Sequence, residues 1–410
     1  MRLRMFFNKD EGKETIELMK KDKKTPFSIE GIHYATGNPV RVEIVDGRIG
    51  NVIEMKEFEN NKNTLFIAPG LIDNQINGYA NVDFSGNVFS SEDVVAATRA
   101  IWKEGVTSFL PTLISNSPEN LIRNFQILDE ALRKNELLRE SIPGFHLEGP
   151  YISPEEGFRG CHPVQYLRKP SWDEFTVYQK ASGGRIIQVT IAPELEGAME
   201  FIRLCTLNGI VVAIGHTNAS SEQISNAVEN GAKLSTHLGN GCANLIHRHK
   251  NPIWPQLAND QLIPSIIADG HHLLPDEIKV FYKVKGFDNL ILTSDITYLA
   301  GMAPGKYSFM ESDVILTQEG MLLNAEQNCL AGASFPLKKG VENMMNFTGC
   351  SLTKAINMAS GNVARIYNLY DRGILAPGNR ADLILFLRED NQLQIKKTYL
   401  NGNLVYQEKN

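Results

Sequence analysis

His216 and His237 are the residues around which this chain can do metal chemistry. His216 ends the apolar run GIVVAIG (209–215), and His237 ends a second strand-like run, KLST (233–236). Between them, 220–229 reads as a helix that Ser220 or Ser221 can cap and Gly231 can end. Neighbouring parallel strands bring their C-terminal ends to one face, so both imidazoles can reach one ion. A lone histidine would read as a satisfied core residue. Two at matched strand ends, with Glu148 ending a third strand in PGFHLE (143–148), read as a metal site. Two imidazoles and a carboxylate hold a catalytic divalent ion and leave a position for water, whose pKa the ion lowers toward 7.

That chemistry needs a further carboxylate to take the proton from water and hand it to a leaving group. Asp295, ending LTSD (292–295), is the candidate; the bland alternative is a helix N-cap in S-D-x-T. His272 would donate to a carbonyl oxygen. Its neighbour His271 points elsewhere in an extended segment, so periodicity does not choose between them. Gln75, Asn77, His146 and Asp269 also fall at strand ends, and eight of the nine histidines lie between 146 and 272.

These residues need a scaffold that gathers strand ends. Eight strand-like runs occur in order: LIDNQI (71–76), TSFLPT (107–112), PGFHLE (143–148), IIQVTI (186–191), IVVAIG (210–215), KLSTH (233–237), PSIIAD (264–269) and LILTSD (290–295). Helical patterns at 91–102, 118–138, 195–207, 221–228 and 275–285 separate most of them. Eight βα repeats predict a (β/α)8 TIM-like barrel with its site at the C-terminal strand ends. A doubly wound open sheet is the alternative, but neither GxGxxG nor a P-loop occurs. Short strands at both chain ends, with turn signals at Asp46-Gly47 and Asn401-Gly402, predict a small β-sandwich domain built from both termini. A hairpin is expected over 314–324, and helices near 335–347, 352–358 and 363–368. The expected division is an N-terminal extension (1–24), part of the small domain (25–68), the barrel (69–376) and the rest of the small domain (377–410).

The chain has 410 residues, 42% of them hydrophobic, and a net charge of −6, which gives no electrostatic case for nucleic acid or membrane partners. Five scattered cysteines without a CxxC argue for a reducing, cytoplasmic compartment and against a disulfide framework. No apolar run approaches the ~20 residues that span a bilayer.

APGLIDNQINGY (68–79), HLEGPYISPEEGFRGCHP (146–163), GHTNAS (215–220), STHLGNG (235–241), ADGHH (268–272), TSD (293–295), LAGAS (330–334) and RGILAPGNRADLILF (372–386) together resemble the N-acetylglucosamine-6-phosphate deacetylase family of the amidohydrolase superfamily. The resemblance runs in order from about Phe27 to the C-terminus. It implies a deacetylase that converts N-acetylglucosamine 6-phosphate to glucosamine 6-phosphate and acetate. The nucleophile is then an ion-activated water, with one divalent ion per subunit: zinc first, with iron, manganese or cobalt as alternatives. It implies Glu148, His216 and His237 as ligands, Asp295 as acid/base, and His272 on the acetyl carbonyl. It places Cys161, His162, Asp269, Gly270, His271, Leu330, Ala331 and Gly332 against the sugar. Asn240 and Gly241 fall to the phosphate, as does Arg248, which would reach it across a homodimer interface.

Two departures stand out. Many superfamily members carry H-x-H after the first strand; here Gln75-Ile76-Asn77 stands there, near the metal. Amides are poorer zinc ligands than imidazoles, so one ion is expected. The stretch after THL, from Gly239 to Gln256, is also unusual. It leaves open an unphosphorylated N-acetyl sugar or another N-acyl compound as substrate. A non-catalytic sugar-binding homologue is a more distant alternative, set against the retained His216, His237, Glu148 and Asp295.

Overall fold

The computed structural model describes residues 25–59, 61, 63–309, 312–324 and 329–409; the N-terminal extension expected over 1–24 lies outside them. Eight parallel strands form the central sheet: β1 (Leu71–Ile76), β2 (Val106–Ile114), β3 (Phe145–Glu148), β4 (Ile186–Ile191), β5 (Val211–Ile214), β6 (Leu234–Ser235), β7 (Ile263–Ile266) and β8 (Ile291–Leu292). They pair in chain order, and a parallel bridge between Ile76 and Ile296 brings the last strand back to the first. This is the TIM-like barrel the alternating pattern predicts. Its strands are apolar runs because both faces are covered; all nine residues of β2 are buried.

The helices follow from local signals. Ser90 caps Ser91–Lys103 with a reciprocal box to Asp93, and Ser220 caps Ser221–Glu229 with a box to Gln223. The single helix expected over 118–138 is two, Pro118–Lys134 and Glu136–Ser141, because Asn135 leaves helical geometry and its side chain caps the second. Short helix Gly361–Ile366 plugs the N-terminal end of the barrel. Its Val363, Ala364 and Ile366 pack on Ile72, Leu234 and Ile291 from the strand starts, and Ile72 N–H donates to Ala359 O (2.8 Å).

Both chain ends meet in one seven-stranded sheet, ordered 403–407, 392–400, 383–389, 66–69, 27–33, 39–45 and 48–54. Alternation drives it: Val40, Val42 and Ile44 face the core while their neighbours face outward. A four-stranded antiparallel meander (Gly305–Phe309, Ser312–Leu316, Leu322–Asn324, Cys329–Leu330) extends the expected hairpin. It follows β8 and has its own small apolar core, including Phe309, Val314 and Leu322. Among the described residues no helix is long and apolar enough to cross a membrane.

Barrel and terminal sheet are tied by a buried guanidinium. Arg380 bonds Glu140 (3.1 Å) and Asp382 (3.1 Å) while only 5% exposed. Removing one partner of such a group strands the other charge in the interior. Arg380→Met is expected to lower the unfolding free energy by about 3 kcal/mol, and Arg380→Met with Asp382→Leu to recover much of that loss. Denaturant unfolding curves measure both. An unchanged midpoint in the single variant would show that the pair does not hold the two parts together.

Candidate active site

The C-terminal strand ends open into a cleft of about 830 Å³. Glu148, the last residue of β3, stands at its floor, 2% exposed. One of its oxygens, Oε1, lies 3.0 Å from His237 Nε2 and 3.3 Å from His216 Nε2. Burial alone would push this carboxyl up. The hydrogen bonds and charges of His216 and His237 outweigh it and hold Glu148 well below the ordinary glutamate value. Burial would lower His237, and the Glu148 hydrogen bond reverses that and raises it.

The donor set fits a cation. His216 Nδ1 faces the Phe158 carbonyl oxygen at 3.1 Å, which assigns the ring proton to Nδ1. Its Nε2 is thereby directed at Glu148 Oε1 (3.3 Å), a contact that either a proton on Nε2 or a bound divalent cation would satisfy. His162 belongs to the same cluster: ligand atoms of Glu148, His162 and His216 all lie within 4.8 Å of one another. Burial pushes His162 down to about 3, so it is neutral, and its Nδ1 lies 2.8 Å from Ser115 Oγ. The family resemblance placed His162 on the sugar; the geometry adds it to the groups that can reach an ion.

Asp295 follows β8 and is 8% exposed. No helix begins there, which removes the N-cap alternative. Burial first, then the Glu148 charge, hold its carboxyl above the ordinary aspartate value. Gln75 and Asn77 turn to this carboxylate, through Nε2 (2.9 Å) and Nδ2 (2.7 Å), rather than to the histidines. His272 Nδ1 lies 2.8 Å from Asp269 Oδ2, whose other oxygen accepts the backbone N–H groups of His271 and His272. Burial would raise Asp269; the hydrogen bond and charge of His272 outweigh it and lower it.

His216, His237 and Asp295 share a backbone feature: their φ values are +49°, +31° and +52°. Non-glycine residues rarely adopt that region, and clusters of them mark functional sites. Close packing accompanies it. A Cβ on Gly160 or Gly241, both also at positive φ, would stand 3.1 Å and 2.9 Å from the His216 ring.

Most of the other expected residues reach the cleft. Cys161, His162, Asn240 and Gly241 line it, as do His271 and His272; Leu330, Ala331 and Gly332 form part of its far wall. Asp269 and Gly270 lie outside the lining, Asp269 behind His272. Arg248 does not reach the cleft of its own chain: it is exposed, and its carbonyl accepts from Trp254 Nε1 (2.9 Å). No lysine or arginine lines the cleft among the described residues. The sequence reading missed Ser115 behind His162, the Phe158 carbonyl behind His216, and the meander residues Phe309, Ile315 and Leu323 in the wall. Ser115 was open to discovery, since it directly follows β2. A backbone carbonyl leaves no mark in a sequence.

His146, two residues before Glu148, points down the barrel. It sits between Thr112 Oγ1 (3.2 Å) and Thr190 Oγ1 (2.8 Å), and burial pushes it down to about 4. It is a neutral interior residue.

The amidohydrolase family model matches residues 66–405. An N-acetylglucosamine-6-phosphate deacetylase from Bacillus subtilis is 32% identical over 375 residues, covering 89% of this chain and 92% of that protein. The crystal structure of the Thermotoga maritima N-acetylglucosamine-6-phosphate deacetylase superposes with a TM-score of 0.82 at 28% identity, over 93% of this chain and all of that one. A mutant of the Mycobacterium smegmatis deacetylase, in complex with N-acetyl-D-glucosamine-6-phosphate, gives 0.82 at 26% identity, over 92% of this chain and 99% of its own.

If Glu148, His216 and His237 hold the ion, Glu148→Gln, His216→Ala and His237→Ala will each lose most bound metal on dialysis, whereas Asp295→Asn will keep it. Elemental analysis reads the outcome. Retention of a full complement by His237→Ala would shift the ligand set to Glu148, His162 and His216.

Proposed function

The chain belongs to the amidohydrolase family, and we propose that it hydrolyses the acetamide of N-acetylglucosamine 6-phosphate to glucosamine 6-phosphate and acetate. The observation that carries this reading is the convergence on one cleft floor of Glu148, His216 and His237 with a second buried carboxylate, Asp295. The names of the relatives supply the sugar phosphate.

Glu148, His216 and His237 would hold a divalent ion, zinc first with iron, manganese or cobalt as alternatives, and that ion would supply Lewis-acid chemistry. Asp295 takes the proton from the attacking water. Its raised pKa makes it a better base than a surface aspartate, and once protonated a ready donor. The same proton passes to the nitrogen as the C–N bond breaks, because an amide nitrogen leaves poorly as an anion. His272, held at Nδ1 by Asp269, presents its other ring nitrogen to the oxygen on which charge builds.

The phosphate needs a cation that one chain's cleft lacks among its described residues. In a homodimer the partner's Arg248 supplies it, beside Asn240 and Gly241. The exposed position of Arg248 supports this. The same lack of a lysine or arginine in the lining favours the second reading, an unphosphorylated N-acetyl sugar or other N-acyl substrate. A cytoplasmic setting goes with the scattered cysteines.

Amine release from N-acetylglucosamine 6-phosphate and from free N-acetylglucosamine separates the readings. The phosphorylated sugar is expected to have the higher kcat/KM, and Arg248→Ala to raise its KM about 10-fold with kcat little changed. Equal kcat/KM for both sugars would move the assignment to the second reading. Asp295→Asn is expected to lower kcat about 10³-fold; turnover near wild type would end the acid/base role.

A further inference from the structure

Asp295 is held by two side chains that the mechanism above does not use. Gln75 Nε2 (2.9 Å) and Asn77 Nδ2 (2.7 Å) both donate to the same oxygen, Oδ1. Gln75 is fully buried and Asn77 is 7% exposed. Among the described residues, no hydrogen bond is made to the other oxygen, Oδ2. The backbone locks the same three residues: Asp295 N–H donates to Gln75 O (3.1 Å), and Asn77 N–H donates to Ile296 O (2.8 Å). The side-chain contacts are therefore built on the seam where the first and last strand ends meet.

We infer that Gln75 and Asn77 are positioning residues forming an amide clamp, which occupies Asp295 Oδ1 and leaves Oδ2 as the atom that exchanges the proton. The inference rests on the deacetylase reading for the identity of the reaction. The clamp itself rests on the geometry.

Three physical points support it. First, a carboxylate rotates about its Cβ–Cγ bond, and two donors on one oxygen fix that torsion. A general base must reach its proton within hydrogen-bond distance, so a fixed torsion keeps Oδ2 on target. Second, the amides present donors. An amide stabilises the ionised carboxylate without adding a charge to a site that already holds Glu148, whereas a third carboxylate would repel both. Third, the clamp leaves a cost behind. Gln75 Oε1 and Asn77 Oδ1 are buried with no hydrogen-bond partner. Unsatisfied buried acceptors are rare in folded proteins, and they persist where the other half of the group is required elsewhere.

Through one turnover the bookkeeping is simple. An O–H bond of water breaks and its proton moves to Oδ2 as the oxygen adds to the carbonyl carbon. The C–N bond then breaks, and the same proton leaves Oδ2 for the nitrogen. The clamp on Oδ1 is unchanged throughout, and no redox partner is involved.

The test compares Asn77→Ala, Asn77→Asp and Gln75→Leu with the metal-loaded wild type, after wild-type turnover of the acetylated sugar phosphate has been established. Asn77→Ala is expected to lower kcat by roughly 10²-fold, with KM within a few-fold of wild type and metal content unchanged. Asn77→Asp, isosteric with asparagine but facing carboxylate to carboxylate, is expected to be worse than alanine. A residue that merely fills space would give the opposite order, and Asn77→Asp outperforming Asn77→Ala would overturn the proposal. A second readout needs no substrate: Asn77→Ala should lower Tm in the wild-type background and clearly less in Asp295→Ala. Equal shifts in the two backgrounds would show that the contact is not made. A wild type that turns over no acetylated sugar, with the Tm coupling intact, would instead count against the deacetylase reading and leave the clamp standing.

Discussion

Closure of the barrel between Ile76 and Ile296 fixes the distance across which the site works. Strand β8 has only two residues in regular pairing, so the link to β1 depends on bonds just beyond it. Asp295 N–H donates to Gln75 O and Asn77 N–H to Ile296 O; Ala333 N–H donates to Asp295 O and brings the Leu330–Gly332 wall alongside. A shift of one residue in that seam would turn Asp295 away from the cleft, because side chains alternate across a strand. Glu148 on β3 and His216 and His237 just beyond β5 and β6 can then stay in register with Asp295 on the far side of the seam.

Such a site is costly to the fold. Glu148, Asp295 and Asp269 lie in the interior, and His216, His237 and Asp295 hold left-handed backbone, at roughly 1–3 kcal/mol each. Interior charge is tolerated only when paired, and Glu148 is paired with two imidazoles. The remainder of the molecule offsets the cost. Helix Gly361–Ile366 closes the barrel's other end with apolar side chains, and the terminal sheet is fastened through Arg380. Stability is concentrated at one end of the barrel and chemistry at the other, as the fold requires.

How much of this was legible in the sequence follows from range. Strand ends were readable because each barrel strand is a short apolar run that stops at a polar residue; β4 matches IIQVTI residue for residue, and Glu148, His216, His237 and Asp295 all fell at or just beyond strand ends. Capping by Ser220 was readable because the box is local. The helix at Trp172–Ala181 was not, since its aromatic and β-branched residues suit a strand equally well. Nor was Ile253–Ala258, which follows Pro252 and contains Pro255. The 314–324 hairpin of the meander was readable, but its outer strands escaped because GKYSF carries only two apolar side chains and Cys329–Leu330 has only two residues. Gln75 and Asn77 were visible as strand-end amides, but their partner lies about 220 residues away in the chain and only closure brings it near. The outward course of Arg248 was likewise invisible, since nothing local dictates where a long loop points.

This split between near and far has a functional counterpart. Reaction type is carried by residues at or just beyond the barrel strand ends, whose positions the hydrogen-bond ladder dictates. The wall of the cleft is formed by other segments: residues from 239–256 on one side and the meander with Leu330–Gly332 on the other. Those segments can change without disturbing Glu148 or Asp295, because they touch the ladder only at their ends. The departures after THL therefore fall where a change of substrate costs the chemistry least. The exchange of imidazoles for Gln75 and Asn77 differs in kind. It sits on the ladder itself, on the strand that closes the barrel, and its effect is felt by Asp295 on every substrate the cleft admits.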